Sequence, residues 1–350
     1  MAPNAKRVFY VKYLSSPLYA QILAQRPDVQ LDRLENESTD EVVTPVLHAA
    51  HVYQIGASRQ VIASHFQVTP ALLDRMPNLI AVSSNGAGYD TIDVEACTRE
   101  GIAVVNQSGG NREGVAEHAL AMMLTLSKRL IETDRRMRAG PGIARNQYVG
   151  RELNNRTLGI IGIGNVGSRL AELCRGLFHM RVLACDPYLS TEQVRARGAE
   201  KADLNDLLRQ ADYVSVHCPL TRTTRGMLGA REFALMRPDA YFITTARGFI
   251  HDESALASAL AAKKIAGAGL DVWEDEPPPH DHPLLQFDNV LSSPHTAGAT
   301  EESRENMARF AAEQVLGILD GNRPPRLVNP EVWPAYRDRF ARIMGAAAAE

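Results

Sequence analysis

Short apolar runs recur along the chain with room for one helix between each pair. From residue 7 to about residue 106 they read RVFYVKYL, VQLDRLEN, VYQIGAS, LIAVSS and IAVVNQ. Such runs alternating with helix-like stretches are the cadence of a parallel α/β sheet, because parallel strands need a long crossover. The alternation then restarts. TLGIIGIG, RVLACD, DYVSVHC, AYFITTA, IAGAGLDVW and NVLSSP supply six further strand candidates between 157 and 293, enough for a complete second sheet.

Two longer stretches have helical patterns. GVAEHALAMMLTLSKRLIETDRRMR is apolar on most faces to about Leu126 and charged afterwards, predicting an interdomain helix with a buried first half and a solvated end. ATEESRENMARFAAEQVLGILDGN starts with Thr300-x-x-Ser303 and an acidic first turn, and Gly321 and Pro324 stop it. Since the second sheet already has its strands, this helix is expected to cross back to the first domain. The predicted class is α/β, with two parallel-sheet domains and a cleft between them. The expected boundaries are 1–108 plus 303–335 for a discontinuous substrate domain, 109–302 for a dinucleotide-binding domain, and 336–350 for a frayed tail. There is no internal repeat or low-complexity linker.

Length and composition narrow the function. At 350 residues the chain exceeds the size at which one core stops growing, so two domains are expected. With 38 basic and 41 acidic residues, net −3, and no long run of either sign, it has no electrostatic footprint for nucleic acid or anionic membrane. Cys97, Cys174, Cys185 and Cys218 are widely spaced in apolar surroundings without CxxC, predicting buried reduced thiols and no metal site. The start, MAPNAKRVFYVKYLSS, has no long apolar stretch or cleavage pattern, so a soluble, cytoplasmic protein is expected.

TLGIIGIGNVGSRLAELCRGL places Gly162, Gly164 and Gly167 in G-x-G-x-x-G spacing after an apolar run and at the start of an amphipathic one. Such glycines allow a tight turn, close approach of backbone to a pyrophosphate and close helix–strand packing, while the helix N-terminus presents free N–H groups. Asp186 ends the next strand, where an acid would hydrogen-bond an adenine ribose. Its charge disfavours a 2′-phosphate, so NAD is expected rather than NADP.

Three more polar residues follow later strands of the same sheet, where strand ends bring loops to one crevice. They are Arg247 after AYFITTA, Glu276 in LDVWEDEP and His295 in SSPHTAGAT. A guanidinium pairs two-pronged with a carboxylate, and an imidazole moves protons near neutral pH. Taken singly, His295 reads as a satisfied loop histidine and Glu276 as a solvated charge with Asp271, Glu274 and Asp275 as rivals. Their shared end of the sheet lifts the trio above those readings. In the first domain, SNGAGYDTID sets Gly86, Ala87 and Gly88 directly after a strand, where small residues let backbone N–H groups face an anion. Asn111 precedes VAEHAL, in which His118 reads as a packing histidine.

The combination GIGNVG, TARG, LDVWEDEP and SPHTAGAT resembles the D-isomer-specific 2-hydroxyacid dehydrogenase family, and the likeness runs from about residue 45 to 330. The resemblance implies flavodoxin/Rossmann-like domains, the first completed by the C-terminal helix, a homodimer, and NAD-dependent interconversion of a 2-oxo acid and a D-2-hydroxy acid. It implies that Arg247 binds the substrate carboxylate, that Glu276 holds and charges His295, and that His295 is the acid/base. Substrate contacts would be Ala87 and Gly88 through backbone amides, Asn111, Arg247 and His295. NAD contacts would be Gly162, Gly164, Asn165, Val166, Gly167, Asp186, His217, Cys218, Pro219, Thr223, Ala246, Arg247, Asp271, His295 and Gly298, with Asp271 accepting from the carboxamide. Arg112 and Glu113 stand where relatives carry small or apolar residues.

Two other readings compete. An NAD(H)-sensing, corepressor-like binding protein would need the Rossmann unit alone, and the full trio weighs against it. A D-3-phosphoglycerate dehydrogenase lacking a regulatory domain would need a cation for its phosphate, for which Arg59 is a candidate, yet Asn85 stands where such enzymes often carry arginine. Formate dehydrogenase is disfavoured because its histidine is paired with glutamine rather than with a residue like Glu276.

Overall fold

The computed structural model describes residues 5–57 and 62–349. The chain divides into two compact units, Met1–Asn111 with Thr300–Glu350, and Arg112–Ala299.

The first unit is built on five parallel strands, β1 (Lys6–Val11), β2 (Val29–Leu34), β3 (Val52–Ile55), β4 (Ala81–Ser84) and β5 (Ala103–Val105). They lie in the order β2-β1-β3-β4-β5, the doubly wound order of flavodoxin-like folds. All residues of β3 and β4 are buried, as expected of strands covered by helices on both faces. Register brings Phe9 opposite Tyr53, and their rings stack at 4.2 Å.

The helix Glu301–Leu319 belongs to this unit. Thr300 caps it by accepting from the Ser303 N–H at 3.1 Å. Its small residues Ala308, Ala311 and Ala312, with Val315 and Ile318, form one core with Val8, Val52, Ala81, Ala103 and Val105 of the sheet. Alanines at the contact let the helix lie close to the strands. The expected tail 336–350 is instead mostly helix, Trp333–Met344, with Tyr336, Arg339 and Phe340 buried. The buried Arg339 guanidinium donates to the carbonyls of Leu79, Pro77 and Glu100 at 2.6, 3.1 and 3.1 Å. The charged residues of this segment masked its apolar stripe.

The second unit carries β6 (Thr157–Ile161), β7 (Arg181–Cys185), β8 (Glu200–Lys201), β9 (Tyr213–Val216), β10 (Tyr241–Thr244), β11 (Gly267–Leu270) and β12 (Val290–Ser292). Their order is β12-β11-β10-β9-β6-β7-β8, the Rossmann order extended by one strand. Six strands were expected. The seventh, β8, is a two-residue exposed edge strand that leaves no apolar run to read. The order reverses between β6 and β9, and at such a switch point the loops leaving the strand C-termini open a ligand crevice. Those loops carry the glycine turn, His217, Arg247, Asp271 and His295.

The predicted linking helix is two helices, Arg112–Ser127 and Leu130–Ala139. The chain turns at Arg129, which has a left-handed φ of 54° and whose guanidinium binds Glu132 and the Gln147 carbonyl. The burial contrast is as expected: the first helix buries nine residues and the second none. Among the four free cysteines, Cys97 and Cys174 are buried, but Cys185 and Cys218 are only half-buried. Burial pushes the Cys97 and Cys174 thiols up to about 12 and Cys218 up to about 11, so these three are protonated at neutral pH.

Candidate functional site

The turn after β6 has the three properties a dinucleotide loop requires. Gly162 has φ 88°, and a Cβ there would lie 2.7 Å from the Cys218 backbone nitrogen. A Cβ on Gly167 would lie 2.5 Å from the Gly162 carbonyl, so only glycine lets the helix Asn165–Phe178 start this close to the strand. At Gly164 a Cβ would meet nothing within 4 Å, so its backbone is open to a ligand. A pocket of about 400 Å³ opens here, lined by Gly164, Asn165, Arg169 and Arg197 among others. Free N–H groups and the positive end of the helix dipole favour a pyrophosphate there.

Asp186 lies beside this turn. Its Oδ2 accepts from the Ile163 N–H at 3.2 Å and its Oδ1 from the Tyr188 N–H at 3.1 Å, which leaves lone pairs for two ribose hydroxyls. The close approach of Gly162 to Cys218 brings HCPLTRTT against the glycine turn. His217 turns inward, with Nε2 2.8 Å from the Ser215 hydroxyl, and burial pushes its imidazole down to about 4, so the ring is neutral. Thr224 ties this segment by donating to the Pro219 carbonyl at 2.7 Å, and Pro219 and Thr223 remain exposed. Val166 is half-buried against the core, while Asn165 is exposed. These features fit a dinucleotide with an unphosphorylated adenine ribose.

Asp271, fully buried, organises the loop after β12. Its Oδ1 accepts from the Ser293 hydroxyl at 2.6 Å and the Thr296 N–H at 2.8 Å, and its Oδ2 from the Ala297 N–H at 2.9 Å. Its carbonyl accepts from the His295 N–H at 2.7 Å. His118 Nε2 lies 2.9 Å from the same Ser293 hydroxyl. Because that hydroxyl donates to Asp271, it accepts from His118, which fixes the histidine proton on Nε2. Held this way, His295 adopts a left-handed φ of 54°, a conformation sustained only where the surroundings enforce it. Gly298 follows in the same turn, half-buried.

His295 Nδ1 lies 2.8 Å from Glu276 Oε2. A carboxylate only accepts, so Nδ1 carries a proton and Nε2 is left to exchange one. Glu276 Oε1 accepts from the Trp273 N–H at 3.2 Å. Burial pushes the Glu276 carboxyl up, but the hydrogen bond and charge of His295, the Trp273 N–H and the Arg247 charge together hold it below its ordinary 4.5. The carboxylate therefore persists, with the stability it contributes, from neutral pH down through 4.5, and both are lost as pH falls through the lowered value. Arg247, half-buried at the end of β10, donates from Nη1 to the Ala246 carbonyl at 2.6 Å. The trio thus joins in one electrostatic cluster on the second unit.

Ala87, Gly88 and Asn111 belong to the first unit. There the carbonyls of the glycine loop are taken up from within: Gly86 by the Gln107 N–H at 2.9 Å, Ala87 by the Asn106 side chain at 2.7 Å and Gly88 by the Ser84 hydroxyl at 2.5 Å. The Ala87 and Gly88 N–H groups have no acceptor among the described residues. Asn85 is buried, bound to Gln54 at 2.5 Å and to the Tyr13 carbonyl at 3.3 Å. Arg59 lies outside the described residues.

Sequence reasoning missed His118, taken as a packing residue, and Ser293. Their contact spans 175 positions, and no local pattern announces it. Among the described residues, no group of three or more His, Cys, Asp or Glu could hold a metal ion, and no helix is long and apolar enough to cross a membrane.

Comparison with known proteins places this geometry among relatives. Residues 120–297 match the family described as D-isomer specific 2-hydroxyacid dehydrogenase, NAD binding domain. A glyoxylate reductase of Aeropyrum pernix is 42% identical over 267 residues, 75% of this chain and 79% of that protein. A D-3-phosphoglycerate dehydrogenase of Archaeoglobus fulgidus is 38% identical over 276 residues, 79% of this chain but 52% of that longer protein. The crystal structure of a D-lactate dehydrogenase from Aquifex aeolicus, complexed with NAD and lactic acid, superposes with a TM-score of 0.77 at 30% identity, over 92% of this chain and 98% of that one.

The glycine turn makes a separable prediction. Gly164→Ala should leave the melting temperature unchanged and weaken NADH binding, whereas Gly167→Ala should lower the melting temperature because its methyl group meets backbone. Thermal melts and NADH fluorescence titrations of both variants check it; equal effects in the two would contradict this assignment.

Proposed function

The chain belongs to the D-isomer-specific 2-hydroxyacid dehydrogenase family, and on that premise we propose that it reduces a small, unphosphorylated 2-oxo acid, of the glyoxylate class, with NADH. The observation that carries this reading is the Glu276–His295 hydrogen bond beside Arg247, on the unit that holds the dinucleotide turn.

A bound NADH supplies the hydride. Gly162, Gly164 and Gly167, with Asn165 and Val166 at the helix start, would hold its pyrophosphate, and Asp186 would hold the adenine ribose. By the family resemblance His217, Cys218, Pro219 and Thr223 would line the adenosine side, and Ala246 and Gly298 would be further cofactor contacts. By the same family resemblance, Asp271 would accept from the carboxamide. On the second unit the substrate carboxylate is assigned to the Arg247 guanidinium; on the first, the family resemblance makes the N–H groups of Ala87 and Gly88 and the Asn111 side chain substrate contacts. Arg247 polarises the carbonyl and stabilises developing negative charge on its oxygen. His295 Nε2 gives that oxygen its proton, and Glu276 stabilises the ring while it is charged.

The D-configuration of the product follows the family. The corepressor-like reading leaves the Glu276–His295 pair without a task. Glyoxylate is favoured by the name and 42% identity of the Aeropyrum pernix relative. The buried Asn85, bonded to neutral partners, supplies no cation for a phosphate, which weighs against phosphohydroxypyruvate.

A cytoplasmic location and a homodimer complete the proposal. The segment from Leu130 to Val149 exposes Leu130, Met137 and Val149 at 53, 70 and 74%, side chains that a second copy of the chain would cover. Sedimentation should give twice the 38.4 kDa chain mass; a single-chain mass would contradict the dimer.

A panel of glyoxylate, hydroxypyruvate, pyruvate, branched and aromatic 2-oxo acids and phosphohydroxypyruvate, assayed with NADH and NADPH, tests the substrate class. Glyoxylate with NADH should give the highest kcat/KM; preference for the phosphorylated acid or for NADPH would overturn that choice. His295→Ala should lose about 10²–10⁴-fold in turnover while still binding NADH. Arg247→Lys should keep the charge but lose the two-pronged grip, raising KM for the oxo acid with NADH affinity spared.

A further inference from the structure

The second unit holds another carboxylate–imidazole pair, Glu253 and His282, which no proton step uses. Glu253 is the first residue of the helix Glu253–Ala261, and is 8% exposed. Both of its oxygens are taken up by a loop rather than by its own helix. Oε1 accepts from the Glu274 N–H at 2.9 Å, and Oε2 lies 3.0 Å from His282 Nε2. His282 Nδ1 accepts from the Leu284 N–H at 3.3 Å, which puts the ring proton on Nε2 and makes His282 the donor to Glu253. The His282 ring also meets Trp273 edge-on, with centroids 5.4 Å apart.

These contacts tie down both ends of one irregular segment. Between Trp273 and His282 the chain has no helix or strand, and Asp275, Pro277, Pro279 and His280 are exposed. Glu276 lies inside this segment. The peptide that Glu253 holds is also the one against which the turn after Arg247 packs: a Cβ on Gly248 would lie 1.9 Å from the Trp273 carbonyl and 2.8 Å from the Glu274 nitrogen. The preceding N–H, that of Trp273, is bonded to Glu276. One buried carboxylate therefore fixes a point from which both Arg247 and Glu276 take their positions.

We propose that Glu253 and His282 form a positioning clamp that sets Glu276 at hydrogen-bonding distance from His295, without touching substrate or cofactor. This rests on the reading of Glu276 and His295 as the acid/base pair. Loss of the clamp frees the segment, lets Glu276 drift from both Trp273 and His295, and removes the contacts that keep its carboxyl ionised below the ordinary range. A misplacement of about 1 Å in such a group can cost roughly 100-fold in rate.

The test compares Glu253→Ala, Glu253→Gln, His282→Phe and Glu276→Gln in the full chain, measuring kcat, KM for glyoxylate, NADH affinity and the acid limb of the kcat profile. Glu253→Ala and His282→Phe should lose about 10- to 100-fold in kcat. Their KM and NADH affinity should stay within about twofold, and the acid limb should move to higher pH. Glu253→Gln keeps an acceptor for the Glu274 N–H but turns its amide N–H toward the His282 Nε2–H, and should recover only part of the loss. His282→Phe keeps the ring against Trp273 and carries the test if Glu253→Ala fails to fold. Wild-type kcat and acid limb in both clamp variants, with kcat lost in Glu276→Gln, would overturn the clamp alone. Retained kcat in Glu276→Gln would overturn the acid/base reading beneath it. A kcat loss matched by equal loss of NADH binding would make the pair merely structural and would also overturn the clamp.

Discussion

A single buried carboxylate, Asp271, sets the geometry on which the proposed chemistry depends. An ionised group out of water costs several kcal/mol unless it is well satisfied, and Asp271 is satisfied by the turn that follows β12, through the Ser293 hydroxyl and the Thr296 and Ala297 N–H groups. The turn cannot open without stranding that charge. His295 lies between these contacts, its own N–H bonded to the Asp271 carbonyl, and is thereby held in a left-handed conformation. Its ring then points one nitrogen at Glu276 and leaves the other for proton exchange.

Carboxylates recur through the second unit in this organising role. Asp186 braces the glycine turn, Asp271 the histidine turn and Glu253 the segment that carries Glu276. Each accepts from backbone N–H groups, and each stands beside the C-terminal end of a parallel strand or the start of a helix. Loops there have few ladder bonds of their own, so side-chain acceptors supply the rigidity that the strands supply elsewhere. The strands place the loops and the carboxylates shape them.

Much of this is legible in the amino-acid sequence. The strands β3, β4, β9, β10 and β11 are buried along their whole length because both sheet faces are covered, so the runs that hold them are rich in apolar residues with only small or single polar interruptions, and they stand out. Gly162, Gly167 and Asp186 announce themselves by spacing, since a dinucleotide turn allows little else. What stayed hidden has physical reasons. The edge strand β8 is too short to show a pattern, the break at Arg129 depends on a guanidinium finding Glu132 and a distant carbonyl, and the helix Trp333–Met344 hides its stripe among charges. His118 reads as a packing histidine and nothing near His282 marks it out, because their partners lie far away in sequence, at Ser293 and Glu253. Long-range polar contacts leave no periodicity behind.

The central claim is that Glu276 and His295 work as one acid/base unit, and a double-mutant cycle on kcat addresses it directly. Groups that act as a unit are strongly non-additive. Glu276→Gln and His295→Asn should each depress oxo-acid reduction, and the double variant should fall no lower than His295→Asn alone. If the two losses instead multiply, the residues act independently and the account of the pair is wrong.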